Sequence, residues 1–263
     1  MIESYALRSG SSGNCIYVGE KGRGLIIDAG ITGKAFLASL AANGLSPDRI
    51  EGIVITHEHI DHVSGLGVLL RRHRIPLYIS EDTWLGTAPK IGEVDQSLIR
   101  LIEPGVPFEV GALSLTGISV PHDAADPMAF KIEGECGNVS VCTDIGYLDS
   151  KVLESLAGSR LLYLEANYDD FMLANGPYSR MLKKRIRGHY GHLSNEACGE
   201  ALIEFVKRGT TEIVLSHLSQ DNNLPQIAER TVNGFLDMIG AKEGTDYRLN
   251  VARRYDCSPM CRF

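Results

Sequence analysis

Residues 56–62 read Thr56-His57-Glu58-His59-Ile60-Asp61-His62 and follow directly on the apolar run Ile53-Val54-Ile55. That juxtaposition leaves the chain few ways to fold. An apolar run of this kind is buried as a strand, and four metal-competent side chains between positions 57 and 62 must then emerge at its end, on the rim of a sheet. Neutral imidazole and carboxylate together suit zinc, manganese or iron better than calcium or magnesium. His57 and His59 share a side-chain direction while the chain stays extended. Asp61 and His62 lie past the turn, within reach of a second ion, so the spacing predicts two metal ions rather than one.

The rest of the chain repeats the pattern. His122 follows Ile118-Ser119-Val120-Pro121, Asp144 follows Val139-Ser140-Val141-Cys142-Thr143, and His217 follows Ile213-Val214-Leu215-Ser216. Taken alone, His122 or His217 is more often a structural histidine. Beside the first cluster they read as ligands delivered by strand ends to one sheet edge. Asp144 suits a bridge between two ions, because a carboxylate has two oxygens to offer. Asp28, which ends Leu25-Ile26-Ile27, reads either as a partner for a ligand's outer N–H or as a turn residue. Glu165 ends Leu161-Leu162-Tyr163-Leu164, and His192 precedes a helix in Gly191-His192-Leu193-Ser194-Asn195. An imidazole paired with a carboxylate makes a general acid. A packing or capping role is the other reading for His192, and support of a ligand the other reading for Glu165.

Composition narrows the class without naming the chemistry. A chain of 263 residues fits one large α/β domain, residues 1–263, with two similar halves. Helices are expected over Gly33–Asn43, Val63–His73, Glu81–Leu85, Tyr178–Arg187, Asn195–Arg208 and Pro225–Ile239, with short strands between them. No apolar run approaches the length of a membrane span, and no basic N-terminal region leads into a hydrophobic core, so the expected compartment is the cytoplasm. The six cysteines read as reduced thiols, and the one close pair, Cys257 and Cys261, as part of a plain C-terminal tail. A net charge of −7 weighs against a non-specific nucleic-acid binder. Local patches count separately. Arg180, Lys183, Lys184, Arg185 and Arg187 lead directly to His189 and His192, as a solvated helix face or as a track for a phosphate backbone. Arg71, Arg72 and Arg74 form a second, less specific cluster. The small-residue loop Ser9-Gly10-Ser11-Ser12-Gly13-Asn14-Cys15 reads as a hairpin or as a close approach to a phosphate.

Thr56 to His62 resembles the HxHxDH signature of the metallo-β-lactamase superfamily, and His122, Asp144 and His217 follow in that family's order. The resemblance covers nearly the whole chain. It implies an α/β fold, a four-layer αβ/βα sandwich, with a dinuclear site at the edge of its two sheets. His57, His59 and His122 would hold one divalent ion, Asp61, His62 and His217 the other, and Asp144 would bridge. The segments Ser9–Cys15, Pro121-His122-Asp123-Ala124-Ala125-Asp126-Pro127, Leu164-Glu165-Ala166-Asn167, Gly191-His192-Leu193-Ser194-Asn195 and Leu215-Ser216-His217-Leu218-Ser219 are similar to those of WalJ (YycJ)-type proteins. That subgroup is bacterial and cytoplasmic, and the likeness implies 5′-to-3′ DNA exonuclease activity. Glu165-Ala166 and Gly191-His192-Leu193-Ser194 also resemble the proton-donating motifs of tRNase Z. The length leaves no room for the insertion of the β-CASP nucleases, and no long flexible arm like that of tRNase Z is visible. The β-lactam hydrolases generally carry a cysteine where Asp144 stands. Cys142, two residues earlier, reads as packing.

The expected function is a metal-dependent phosphodiesterase acting on DNA, with zinc or manganese, iron also fitting, activating a hydroxide that Asp61 orients. His192, supported by Glu165, would protonate the leaving oxygen or bind the phosphate, and the basic run Arg180 to Arg187 would follow the DNA backbone. The alternative is a thioester or lactone hydrolase of the glyoxalase II type, which has no use for that run. A non-catalytic metal-binding scaffold has no use for an open dinuclear site.

Overall fold

Runs such as Leu25-Ile26-Ile27 and Ile213-Val214-Leu215 alternate nothing: every side chain is apolar, a pattern that suits strands covered on both faces. Both are strands, and both are fully or almost fully buried. The computed structural model describes all 263 residues and divides them into two compact units.

The first unit comprises Met1–Ser119, Ala124–Gly137 and Arg253–Phe263. Its main sheet has seven strands in the order Cys261–Arg262, Ile2–Arg8, Cys15–Glu20, Arg23–Ile27, Ile50–Val54, Leu77–Ile79 and Ile99–Leu101. Pairing is antiparallel up to Arg23–Ile27 and parallel from there on. The parallel register sets Ile26 beside Ile53 and Ile27 beside Val54, so the C-terminal ends of these strands share one edge. Helices Gly33–Ala42 and Leu66–His73 bury Phe36, Leu40, Leu66, Leu69 and Leu70 in one core with Ile26, Ile53 and Ile55. A meander of Phe108–Val110, Leu113–Ser119 and Met128–Gly134 completes the unit.

The second unit comprises Val120–Asp123 and Asn138–Ala252. The strand Gly137–Cys142 pairs in parallel with Leu161–Glu165, that strand with Glu212–Ser216, and that with Arg248–Val251. Helices Asn195–Lys207 and Pro225–Met238 pack on each other, and Tyr168, Leu173 and Ile186 form a smaller cluster under Asp170–Asn175 and Arg180–Ile186.

The structure corrects several expected boundaries. The helix expected over Val63–His73 is two, Ile60–Val63 and Leu66–His73, because Gly65 bonds its amide to the Ala29 carbonyl. The short helix at Glu81 runs to Ile91, with Pro89 inside it. The C-terminal segment is not a plain tail: Cys261–Arg262 is an edge strand on Ile2–Arg8, and Cys257 packs on the core. Helices Ser150–Leu156 and Asp170–Asn175 escaped the periodicity because they are short; their signals are the capping aspartates Asp149 and Asp169. No helix is long and apolar enough to cross a membrane.

Candidate metal centre

In the first unit, two neighbouring parallel strands carry the cluster: Arg23–Ile27 ends at Asp28, and Ile50–Val54 runs on to His57. Asp28 turns the chain with φ 62°, a conformation that aspartate tolerates better than most residues. Its buried carboxylate accepts the Thr56 amide at 2.9 Å, the Thr56 hydroxyl at 2.9 and 3.0 Å, and His62 Nδ1 at 2.7 Å. The Thr56 hydroxyl, donating to Asp28, accepts in turn from His57 Nδ1 at 3.0 Å. The network therefore assigns the proton of both imidazoles to Nδ1 and leaves Nε2 with its lone pair, as a metal ligand requires. Asp28 is thus both a turn residue and an orienting partner.

The His57 ring centre lies 4.6 Å from that of His59 and 4.1 Å from that of His62. The helix Ile60–Val63 begins just after His59 and brings Asp61 Oδ2 to 3.6 Å from His62 Nε2. The extended pair followed by a turned pair is what the spacing predicted. Asn14 Nδ2 lies 3.3 Å from Asp61 Oδ2 and 3.0 Å from His62 Nε2. Gly30 lets these segments meet, for a Cβ there would stand 1.6 Å from the Asp61 carbonyl oxygen.

In the second unit, three parallel strands end side by side. Cys142 pairs with Leu164 and Glu165 with Ser216, so Asp144, Glu165 and His217 emerge together at the carboxyl edge. Asp144 and His217 both take positive φ, 57° and 54°, which re-aims their side chains as the strands end. Glu165 is fully buried. Its Oε1 accepts from His192 Nδ1 at 2.8 Å and His217 Nδ1 at 2.9 Å, and its Oε2 accepts the amides of Ile145 at 3.1 Å and Leu193 at 3.0 Å. Burial alone would raise its pKa, but the charge of His192 and the hydrogen bonds of His192 and His217 outweigh burial and hold it at about 2.

Donor atoms of Asp144, Glu165, His192 and His217 fall within 4.8 Å of one another. Glu165 nevertheless makes a poor ligand, because its oxygens already serve four donors. It fixes two imidazoles instead. His192 is thereby raised: burial opposes its charged form, but the Glu165 charge and hydrogen bond outweigh it. His122 goes the other way. It donates from Nδ1 to the Gly191 carbonyl at 3.0 Å, and burial outweighs the pull of Asp144 and lowers it. Its Nε2 stands 3.7 Å from Asp144 Oδ1 and 3.5 Å from Asp123 Oδ1. A neutral imidazole suits a ligand, and one that favours its charged form suits an acid.

The profile of the Beta-lactamase superfamily domain matches residues 23–218, a span that holds every one of these side chains except Asn14. The chain belongs to the metallo-β-lactamase superfamily. Exodeoxyribonuclease WalJ of Streptococcus pneumoniae is 34% identical to it over 255 residues, 96% of this chain and 93% of that protein. Exodeoxyribonuclease YycJ of Bacillus anthracis is 34% identical over 244 residues, 93% of this chain and 92% of that protein. The crystal structure of the metallo-β-lactamase fold protein YhfI from Bacillus subtilis superposes with a TM-score of 0.73 at 17% identity, covering 97% of this chain and 98% of the other. The α/β metallo-β-lactamase fold and the WalJ-type relationship expected from the motifs are both met.

A donor set of imidazoles and carboxylates with no thiolate suits a divalent metal ion. Burial pushes the Cys142 thiol far above its ordinary range, so it stays protonated, as a packing residue does.

The basic run is less free than its sequence suggests. Lys183 donates at 2.8 Å to the carbonyls of Ala174 and Gly176, closing the end of the helix Asp170–Asn175. Arg185 pairs with Asp123, and Arg187 with Asp170 at 2.9 Å. In the second basic cluster, Arg71 bonds the Ile91 and Glu93 carbonyls and Arg74 pairs with Asp95. Sequence reasoning missed Asn14 and Asp123. Gly10 and Gly13, at φ 134° and 145°, shape the loop around Asn14, whose Oδ1 accepts the Gly10 amide at 2.8 Å.

Proposed function

We propose that residues 1–263 act as one catalytic domain, a metal-dependent exodeoxyribonuclease that degrades DNA from the 5′ end. The reading is carried by the likeness to WalJ over 96% of the chain, with clusters of imidazole and carboxylate donors at strand ends in each unit. By the superfamily pattern, His57, His59 and His122 would hold one ion, Asp61, His62 and His217 the other, with Asp144 shared. When bound, such ions supply Lewis acidity and a nucleophile at neutral pH. The chain's own contribution is orientation and a proton. Asp28 and Thr56 fix His57 and His62 with Nε2 presented, and Glu165 does the same for His217. As the new P–O bond forms and the old one breaks, His192 gives the Nε2 proton to the leaving oxygen, while Glu165 holds Nδ1 and favours the charged ring. A thioesterase of the glyoxalase II type is disfavoured, since the relatives matched over more than nine-tenths of the chain are named exodeoxyribonucleases. The six free thiols and a DNA substrate fit the cytoplasm.

The test is end-labelled DNA with protein stripped by chelator and then given Mn²⁺ or Zn²⁺, Asp61→Ala serving as the blank. Stepwise shortening from the 5′ end, restored by one of the ions and absent in the blank, is expected. Turnover of a thioester with intact DNA would move the activity to the alternative.

A further inference from the structure

Three exposed rings stand on the loops that lead into the site in the second unit. Tyr190 is 64% exposed and Tyr147 40%, and His189 is exposed between the basic helix and His192. Exposed aromatics on a mobile loop carry little meaning. These loops are pinned. Gly146 donates to the Pro121 carbonyl at 2.8 Å, Asp123 to the Tyr190 carbonyl at 3.0 Å, Gly191 to Gly188 at 2.8 Å and His192 to Ile186 at 2.9 Å. Gly146 lies so close to the second loop that a Cβ would stand 2.0 Å from the His189 carbonyl oxygen. The Tyr147 and His189 rings meet edge to face, centres 4.8 Å apart at 87°. An edge-to-face pair leaves ring faces open to a third partner.

The chemistry beside the rings narrows that partner. Arg180, Lys183, Lys184, Arg187 and Gly188 line a cavity of about 530 Å³ just upstream. Arg180 and Lys184 are the two basic side chains there not engaged in the contacts described above. Cationic side chains next to open aromatic faces, leading to a catalytic histidine two residues past Tyr190, fit alternating phosphates and bases. A base inside a duplex has both faces covered by its neighbours. A base pair at a duplex end offers only its outer face, whereas an unpaired base offers both faces and is free to turn onto a ring.

Resting on the exonuclease reading above, we propose that Tyr147, His189 and Tyr190 form a stacking platform for an unpaired DNA base beside the scissile phosphate, so that the enzyme takes its substrate as a single strand or a frayed end.

The experiment compares a single-stranded oligonucleotide carrying thymines at the end under attack with one carrying tetrahydrofuran abasic residues there. Tyr147→Ala and Tyr190→Ala should each raise KM on the thymine strand by roughly tenfold, the order expected for one base–aromatic stack. On the abasic strand that loss should vanish, and Tyr147→Phe and Tyr190→Phe should restore the thymine KM. A wild-type enzyme that cleaves both strands with equal KM, or alanine variants that lose equally on both, overturns the platform alone. A wild type that degrades duplex DNA but neither single strand also overturns the platform alone, and one that degrades no DNA of either kind overturns the exonuclease reading and the platform with it.

Discussion

In the first unit a buried carboxylate, Asp28, reaches one imidazole directly and a second only through the Thr56 hydroxyl; in the second unit Glu165 holds two imidazoles on a single oxygen. Both carboxylates sit where parallel strands end, and both force the Nδ1 tautomer. The difference lies in what else each must do. The Thr56 hydroxyl passes on orientation but little charge, so His57 meets Asp28 at second hand, whereas His62 meets its carboxylate directly. Glu165 faces His192 with its full charge, and that ring is biased towards its protonated form. Within the second unit the same logic separates His192, on a carboxylate, from His122, on a carbonyl. Two wirings thus yield two chemistries from one residue type.

The largest effect should come from the ring this scheme singles out. His192→Ala is expected to lower kcat by roughly 10²–10⁴, the usual contribution of a positioned acid, with metal content unchanged. Metal analysis beside single-turnover rates checks it, and a fully active variant would remove His192 from the proton step. Next come the two carboxylates. Asp28→Asn and Glu165→Gln should each weaken metal binding by about 10–100-fold, as loss of an outer partner does. Only Glu165→Gln should also lower the rate at saturating metal, because only it faces the acid. If both variants recover full rate in excess metal, the contrast between the wirings is false.

A smaller effect separates the basic side chains. Arg180→Ala and Lys184→Ala should weaken DNA binding and each flatten its salt dependence by about one phosphate contact. Lys183→Ala should leave that slope alone and cost about 1 kcal/mol of stability, since its ammonium closes a helix end. Fluorescence anisotropy across a salt series, with thermal melting alongside, distinguishes them.

The first cluster was legible because its side chains are contiguous and follow an apolar strand, so one local pattern carries both the element and the donor atoms at its end. His122, Asp144, Glu165 and His217 were legible by a weaker rule, the repeated polar residue at a strand end, which parallel pairing turns into a shared edge. Asn14 and Asp123 were not legible, because their partners are distant in sequence: Asn14 meets Asp61 and His62, and Asp123 meets Arg185. The same blindness hides the Ala174 and Gly176 carbonyls that the Lys183 ammonium meets. A sequence records a positive charge but not the carbonyls folded against it. The C-terminal strand failed for a related reason, since two residues hold no periodicity and the register with Ile2–Arg8 exists only in the fold.

The smallest effect lies away from the edge, and it sets the wired rim of the first unit against its interior. At the rim the Asp28 and Thr56 side chains are both engaged, whereas in mid-sheet the hydroxyls of Tyr5 and Tyr17 are buried with no hydrogen-bond partner, their ring centres 5.4 Å apart. Burial pushes Tyr17 up to about 12, with the charges of Glu3 and Glu51 adding to it, and pushes Tyr5 up as well. A raised folded-state pKa means the neutral phenol is favoured in the fold. That contribution is complete below the ordinary tyrosine value of about 10, where both states are protonated, and is lost as pH climbs towards about 12 for Tyr17. Tyr17→Phe removes the group that titrates and the unpaired hydroxyl together. It should therefore raise stability by about 1 kcal/mol at neutral pH and make alkaline unfolding less steep between about pH 10 and 12. Urea unfolding at a series of pH values measures both. An unchanged alkaline slope would mean that Tyr17 is solvated in the folded state, and that the interior of this sheet is as well supplied with partners as its rim.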